Sequence, residues 1–167
     1  PAPRCTAMTA LAWSEALALQ QPRMDQTHRE FIDLLQALEQ SIGLDAATLD
    51  ARFAELLTHT EAHFGQEDRW MAAIGFAAEN CHTFQHAHVL KVLREVQQIV
   101  QRDGDGQVVR QIVDELAQWF TGHAQSMDAA LAQTMIERGY DPDSGTLRHP
   151  IAADAAPITG CGGASCS

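Results

Sequence analysis

Four segments of this chain carry apolar side chains at repeated steps of three and four residues, the spacing that places side chains along one side of an α-helix. The stripes run through Met24, His28, Phe31, Leu35, Leu38 and Ile42; through Leu49, Phe53, Leu56, Thr60, His63, Glu67, Trp70 and Ile74; through His82, His86, Val89, Leu93, Val96 and Val100; and through Val109, Ile112, Leu116, Trp119, His123, Met127 and Ala130. Such a stripe is the inward seam of a coiled-coil-like bundle, so the sequence predicts an all-α fold.

Short links join the four predicted helices. Gly43 ends the first helix, and Asp45 is placed to cap the second. Residues 75–80 form a brief break, and residues 103–106 read Asp-Gly-Asp-Gly, which indicates a turn. Because links this short make consecutive helices antiparallel, we expect an up-down-up-down antiparallel four-helix bundle.

The two ends of the chain differ from its central part. Residues 1–23 hold several prolines and one apolar patch around Leu11 and Trp13, which predicts an extended N-terminal arm that packs Trp13 on the bundle. The bundle itself is expected over 24–138. Residues 139–167 are rich in Pro, Gly, Ala and Ser and contain Cys, a composition typical of a flexible C-terminal tail.

Charge and hydropathy argue against several classes of partner. The formal net charge of -11 disfavours nucleic acid, whose phosphates need Lys and Arg, and also disfavours an anionic membrane surface. No apolar run approaches the roughly 20 residues that span a bilayer. The N-terminal region lacks the charged-then-apolar layout of a secretory signal, since Ser14 and Glu15 interrupt its apolar patch. The expected location is the cytoplasm.

Ionisable side chains occupy positions on these apolar stripes. They are His28, His63, Glu67, His82, His86 and His123. Burying an unpaired ionisable group costs several kcal/mol. Six such groups on one core face therefore need a shared partner. A single histidine on an apolar face is often only a hydrogen-bonded core residue, but the joint pattern favours a metal site.

The spacing within the helices supports a shared metal site, with one exception. His63 and Glu67 are four residues apart, as are His82 and His86, so each pair points to one side of its helix. Asp128 follows His123 by five residues, which is roughly 140° around a regular helix. A local widening of the helix, or a metal centre offset between helices, would bring Asp128 to the seam.

The types of donor restrict the metal. Imidazole and carboxylate without thiolate suit iron and, less specifically, zinc, manganese or copper. One zinc ion takes about four ligands, so seven donors imply two metals. Each carboxylate has two oxygens and is therefore a natural bridge between them.

Four segments resemble the successive motifs of the hemerythrins, specifically the bacterial single-domain type. The resemblance runs from about Trp13 to about Ile136, and the segments are Asp25-Gln26-Thr27-His28, His63-Phe64-Gly65-Gln66-Glu67-Asp68-Arg69-Trp70-Met71, His82-Thr83-Phe84-Gln85-His86 and Trp119-Phe120-Thr121-Gly122-His123 through Asp128.

The resemblance implies a pair of iron ions that binds O2 reversibly. One iron would be held by His82, His86 and His123, and the other by His28 and His63. Glu67 and Asp128 would bridge both irons together with an oxo or hydroxo group. The iron with only two histidines would keep one vacant position, where O2 binds.

The chain departs from the family pattern beside that vacancy. Thr27 stands where many members have Gln, Phe120 where Leu is usual, and Ala124 where Ile is usual. The last two positions line the O2 pocket in the family. They put the O2 affinity and the autoxidation rate of this chain in question.

The leading hypothesis is an O2 carrier, buffer or sensor rather than an enzyme, and two rival functions stay open. A di-iron oxidase or peroxidase of the ferritin type would need two Glu-x-x-His pairs, and only Glu79-Asn80-Cys81-His82 has that form. An iron or nitric-oxide sensor would need a partner protein, which the sequence does not identify.

The remaining histidines and the cysteines are assigned simpler roles. His59 lies four residues before His63, facing the core or in an outer position, while His88 and His149 are read as surface or tail residues. The four cysteines do not form a disulfide framework, and Cys81 points away from the ligand beside it. Cys161 and Cys166 are either a redox pair or part of an inert tail.

Overall fold

The computed structural model describes residues 11–160, and four long helices make up most of that span. The elements are a 3₁₀ turn Glu15–Leu17, α1 Pro22–Gln40, α2 Ala46–Ala73, α3 Cys81–Asp103, α4 Gly106–His123, a π-helical segment Ala124–Asp128, α5 Ala129–Arg138, and the strands β1 Tyr140–Asp141 and β2 Thr146–Leu147. The backbone stays helical from α4 through the π-helical segment into α5, so these three form one continuous fourth helix.

The helices begin and end where local chemistry satisfies their free backbone groups. Asp45 caps α2 by accepting a hydrogen bond from the backbone N–H of Thr48 at 2.9 Å. Asn80 and Thr83 form a reciprocal capping box at the start of α3. Gly104 ends α3 at φ +61°, a left-handed conformation that glycine adopts without steric cost. The caps therefore fix the short links that fold the helices back on one another.

The bundle closes because each helix contacts the next in sequence and α1 also contacts α4. Its main core is built from the apolar stripes, with Phe31, Leu35, Phe53, Leu56 and Leu93 among the fully buried side chains. The all-α bundle expected from the sequence is confirmed.

The N-terminal segment packs on the bundle through Trp13. This side chain lies against the main core, and the guanidinium carbon of Arg29 sits 4.1 Å from the centre of its ring, a cation–π contact. Gln36 on α1 also donates a hydrogen bond to the backbone carbonyl of Leu11 at 3.0 Å. These contacts hold the described part of the segment before α1.

Residues 139–160 contact the end of the bundle where α2 meets α3. The strands β1 and β2 pair in a small antiparallel hairpin, and Ile158 pairs with Phe76 through backbone hydrogen bonds to Gly75 and Ala77. Their apolar side chains pack on a second core cluster that includes Trp70 and Met71. The domain limits and the flexibility expected of the tail remain predictions. Within residues 11–160, no helix is both long enough and apolar enough to cross a membrane.

Candidate metal centre

Seven buried donor side chains meet at one end of the bundle. The positions alternate along the chain, because His28 lies near the start of α1, His63 and Glu67 near the end of α2, and His82 and His86 at the start of α3, while His123 ends α4 and Asp128 ends the π-helical segment. Antiparallel helices bring these ends together, which is the arrangement predicted from the sequence. Each of the seven residues is at most 4% exposed.

The Asp128 carboxylate faces two groups of histidines, one with each oxygen. Its Oδ1 atom lies 3.0 Å from Nε2 of His82 and 3.2 Å from Nε2 of His123. Its Oδ2 atom lies 3.2 Å from Nε2 of His28. One carboxylate therefore spans two neighbouring sets of imidazole nitrogens.

The two carboxylate oxygens of Glu67 likewise face two different groups of histidines. Its Oε1 atom lies 2.9 Å from Nε2 of His63 and 3.7 Å from Nε2 of His28. Its Oε2 atom lies 3.2 Å from Nε2 of His86 and 3.6 Å from Nε2 of His82. The donors thus fall into a three-histidine side with His82, His86 and His123, and a two-histidine side with His28 and His63.

The donor atoms fit a pair of metal ions because several of them lack any other partner. The Nε2 atoms of His28 and His82, Oε2 of Glu67 and both carboxylate oxygens of Asp128 are buried without a hydrogen-bond partner among residues 11–160. Unpaired buried polar atoms are costly and rare in folded proteins. Five ligand atoms on the three-histidine side and three on the other lie within 4.8 Å of one another, close enough to share an ion.

A π-helical segment explains how Asp128 reaches the cluster. The Ala124–Asp128 segment widens the fourth helix directly after His123, and such a widening adds one residue to a helical turn. Of the two routes considered from the sequence, the structure therefore shows a local widening of the helix.

Aromatic side chains pack against the buried cluster on both of its sides. Phe64 stacks on His86 with ring centres 4.0 Å apart, and Trp119 stacks on His123 at 4.4 Å. On the two-histidine side, Phe120 meets His28 edge-on at 5.1 Å. Ala124, the second departure at a position that lines the O2 pocket in the family, is fully buried.

Without a metal, the cluster is strongly charged. Burial lowers the pKa of His28, but its contacts with Asp128 and Glu67 outweigh burial and raise that pKa from 6.5 to about 9. The same balance raises the pKa of His82 to about 9. Burial raises the pKa of both carboxyl groups, yet the surrounding histidines more than reverse this and hold each pKa well below its ordinary value. The carboxylates are thus ready to bind cations.

Two residues that the sequence did not single out support the ligands from outside. Asp68 Oδ1 lies 2.9 Å from Nδ1 of His86, and Gln85 Oε1 lies 3.0 Å from Nδ1 of His123. Both are polar residues off the apolar stripes, so periodicity alone reads them as surface positions. Their only sequence signal is that each stands next to a predicted donor.

The other residues considered from the sequence stay outside the cluster. His59 pairs with Glu30 at 3.3 Å, and its ring centre lies 6.0 Å from that of His63. His88 and His149 are exposed. Cys81 is disulfide-bonded, a bond the sequence spacing did not predict, and the other cysteines at positions 5, 161 and 166 lie outside the described residues.

Comparison with known proteins gives a family match and a similar relative. Residues 21–134 match the family described as Hemerythrin HHE cation binding domain. The chain is also 37% identical over 135 residues to a protein of Ralstonia nicotianae named Bacteriohemerythrin, and the match covers 80% of this chain and 95% of that relative. The residues matched to the family include all seven donors.

Proposed function

The chain belongs to the hemerythrin family, and from this membership we propose that it binds O2 reversibly at a pair of iron ions. It then acts as an O2 carrier, buffer or sensor, not as an enzyme. The observation that carries the proposal is the division of each carboxylate between two unequal groups of histidines. A bridged pair of positions, one with a donor fewer than the other, is suited to binding a small molecule at the poorer position.

The proposed ligand assignment follows the distances. His82, His86 and His123 would hold one iron and His28 and His63 the second, with Glu67 and Asp128 placed to bridge them together with an oxo or hydroxo group. When bound, the pair of irons supplies the electrons that O2 takes up on binding and returns on release. The vacancy would lie on the two-histidine side, because that side has the smaller set of protein donors.

The surrounding residues restrict what reaches the vacancy. Phe120 packs edge-on against His28 and stacks on Phe31 with ring centres 4.8 Å apart. These rings leave little polar surface beside the two-histidine side, so a small apolar molecule enters more readily than an ionic one. Exclusion of water favours reversible binding, since water promotes irreversible loss of electrons from such a site.

The donor set supports binding over oxidative catalysis. Five histidines and two carboxylates give the site few anionic ligands, and anionic ligands are what stabilise highly oxidised iron. We also propose that the metal is iron and that the protein lies in the cytoplasm. Its partner in this proposal is O2, not nucleic acid or a membrane.

The test is a spectrum measured through repeated O2 cycles. Metal analysis should first give two irons per chain. Anaerobically reduced protein exposed to air should then develop a charge-transfer band and lose it under vacuum, over several cycles. Zinc-loaded protein is the control, because zinc does no redox chemistry and should show no band. A single metal per chain, or irreversible bleaching with release of peroxide, would contradict the proposal, and the second result would favour an oxidase or peroxidase.

A further inference from the structure

The Nδ1 atoms of the donor histidines, which face away from the centre of the cluster, differ in their hydrogen bonding. Nδ1 of His86 and Nδ1 of His123 each have a hydrogen-bond partner, at 2.9 Å and 3.0 Å. Nδ1 of His28 and Nδ1 of His63 are buried and have no hydrogen-bond partner in the described part of the chain. Both of the supported rings, His86 and His123, are on the three-histidine side.

The partner of His123 fixes the position of its proton. Trp119 Nε1 carries a hydrogen and can only donate, so the side-chain atom of Gln85 that it meets at 3.2 Å is the amide oxygen. That same oxygen lies 3.0 Å from Nδ1 of His123. Nδ1 therefore carries a hydrogen, and in the neutral ring Nε2 keeps the lone pair that a metal ligand needs.

The partner of His86 fixes its proton by a simpler argument. An ionised carboxylate has only acceptor atoms, so Nδ1 of His86 donates to Oδ1 of Asp68. The side chain of Asp68 is 44% exposed whereas His86 is nearly fully buried. The carboxylate thus stays hydrated at the surface while it supports a buried ligand.

The two supporting residues link three helices in sequence. Asp68 follows the donor Glu67 on α2 and supports His86 on α3. Gln85 precedes His86 on α3 and supports His123 on α4. Successive residues on a helix point about 100° apart, so one residue reaches the metal position while its neighbour reaches the adjacent helix.

We propose that Asp68 and Gln85 are positioning residues that hold His86 and His123 with Nδ1 protonated and Nε2 directed at the metal. The three-histidine side thereby becomes the half of the centre that binds metal more tightly and donates more electron density to it. A carboxylate partner raises the basicity of a ligating imidazole. The first metal bound therefore occupies the three-histidine side. This inference rests on the proposed metal centre and states how its two halves differ.

Zinc-loaded protein gives the most direct test, because it needs no O2. Nitrogen NMR of the histidine rings should show Nδ1–H signals for His86 and His123 that exchange slowly with solvent. Asp68→Ala should remove this protection at His86, and Gln85→Leu should remove it at His123. Asp68→Asn should retain it, because an amide oxygen still accepts a hydrogen bond.

Zinc affinity separates a specific role from a general loss of charge. Asp68→Ala should weaken the tighter zinc equivalent by about 10–100-fold, the usual effect of removing such a partner. Glu61→Ala is the matched control, since Glu61 is also on α2, carries the same charge and has a side chain 42% exposed. Equal zinc affinities for Asp68→Ala and Glu61→Ala would overturn the inference, even if the NMR signals changed.

Reduction potential distinguishes positioning from electron donation. In the iron-loaded protein, Asp68→Asn keeps the hydrogen bond but loses the charge, so it should raise the midpoint potential, whereas Glu61→Gln should not. An unchanged midpoint potential in Asp68→Asn would overturn the claim that the three-histidine side is the more electron-rich half of the centre. If the reversible O2 spectrum is absent but the NMR, zinc-affinity and potential effects of the Asp68 variants are seen, only the proposed function is overturned. If the O2 spectrum is reversible but those effects are absent, only this inference is overturned.

Discussion

Nε2 of His123 and Oδ1 of Asp128 lie 3.2 Å apart, although a regular α-helix would turn their side chains roughly 140° away from each other. The π-helical segment between them makes the contact possible. A local departure from regular geometry inside the last helix therefore delivers the donor that joins both halves of the site.

Replacement of Asp128 by Asn should separate the two halves. The variant has one acceptor oxygen and no charge, so we expect it to bind fewer than two metals per chain, with the weaker equivalent lost first. Metal analysis after dialysis measures this. Asp114→Asn, an exposed position on α4, is the control and should retain both metals. Two tightly bound metals in Asp128→Asn would show that Asp128 is not a bridge.

Replacement of His63 by Ala should remove the two-histidine side selectively. His63 is one of only two histidines there, so we expect loss of the weaker metal and of the O2-dependent band, with the three-histidine side still occupied. His59→Ala is the matched control, because His59 pairs with Glu30 and not with the carboxylates of the cluster. Loss of both metals from His63→Ala at unchanged stability would contradict the assignment of roles.

Replacement of Phe120 by Ala should destabilise the bundle and admit water to the site. Phe120 is 1% exposed and packs between His28 and Phe31, and such a truncation costs about 3–5 kcal/mol. Denaturant unfolding measures the loss. Phe84→Ala, at a position 74% exposed, should stay within about 0.5 kcal/mol of the parent protein. The iron-loaded Phe120→Ala protein should also autoxidise faster, and an unchanged rate would argue against a gating role for Phe120.

The metal-free protein should lose stability as the pH rises from 6.5 to about 9. The pKa of His28 and the pKa of His82 are each raised to about 9 in the folded chain, so their contribution is complete below the unfolded pKa of 6.5 and lost as the pH passes the folded value. The lowered pKa of His123 acts in the opposite direction at the acid end. Unfolding measured across this range checks the sign.

Bound metal should reverse that pH dependence. Metal competes with protons for the same nitrogens, so metal affinity should increase as the pH rises towards 9. His28→Gln should flatten the decline of the metal-free protein, while the exposed His88→Gln should leave it unchanged. A metal-free protein whose stability rises over the same range would contradict the proposed charge state of the cluster.

The sequence predicts the bundle and most of the donor set because both depend on helical spacing. His63 and Glu67, or His82 and His86, reach one side of a regular helix at four-residue steps. Asp128 was harder, since the widening of its helix depends on tertiary contacts and leaves no periodic signal. The supporting roles of Asp68 and Gln85 were missed because a polar residue off the stripe looks the same whether it faces water or a neighbouring helix.

The end of the chain makes a contact that its composition does not predict. Its Pro, Gly, Ala and Ser content predicts a flexible tail, which stays a prediction, and Ile158 makes backbone hydrogen bonds to the link between α2 and α3. Such pairing uses main-chain N–H and C=O groups that every residue type except proline carries. Composition therefore gives no signal for it.

The placement of donors at alternate helix ends also sets an order of assembly during synthesis. A growing chain presents His28 first and Asp128 last, and the intervening donors appear in pairs as each helix is completed. The two-histidine side lacks only Asp128 once α2 has been made, while the three-histidine side also waits for His123 on the last helix. A chain that binds two metals, as proposed, would therefore complete the pair only after the π-helical segment has left the ribosome.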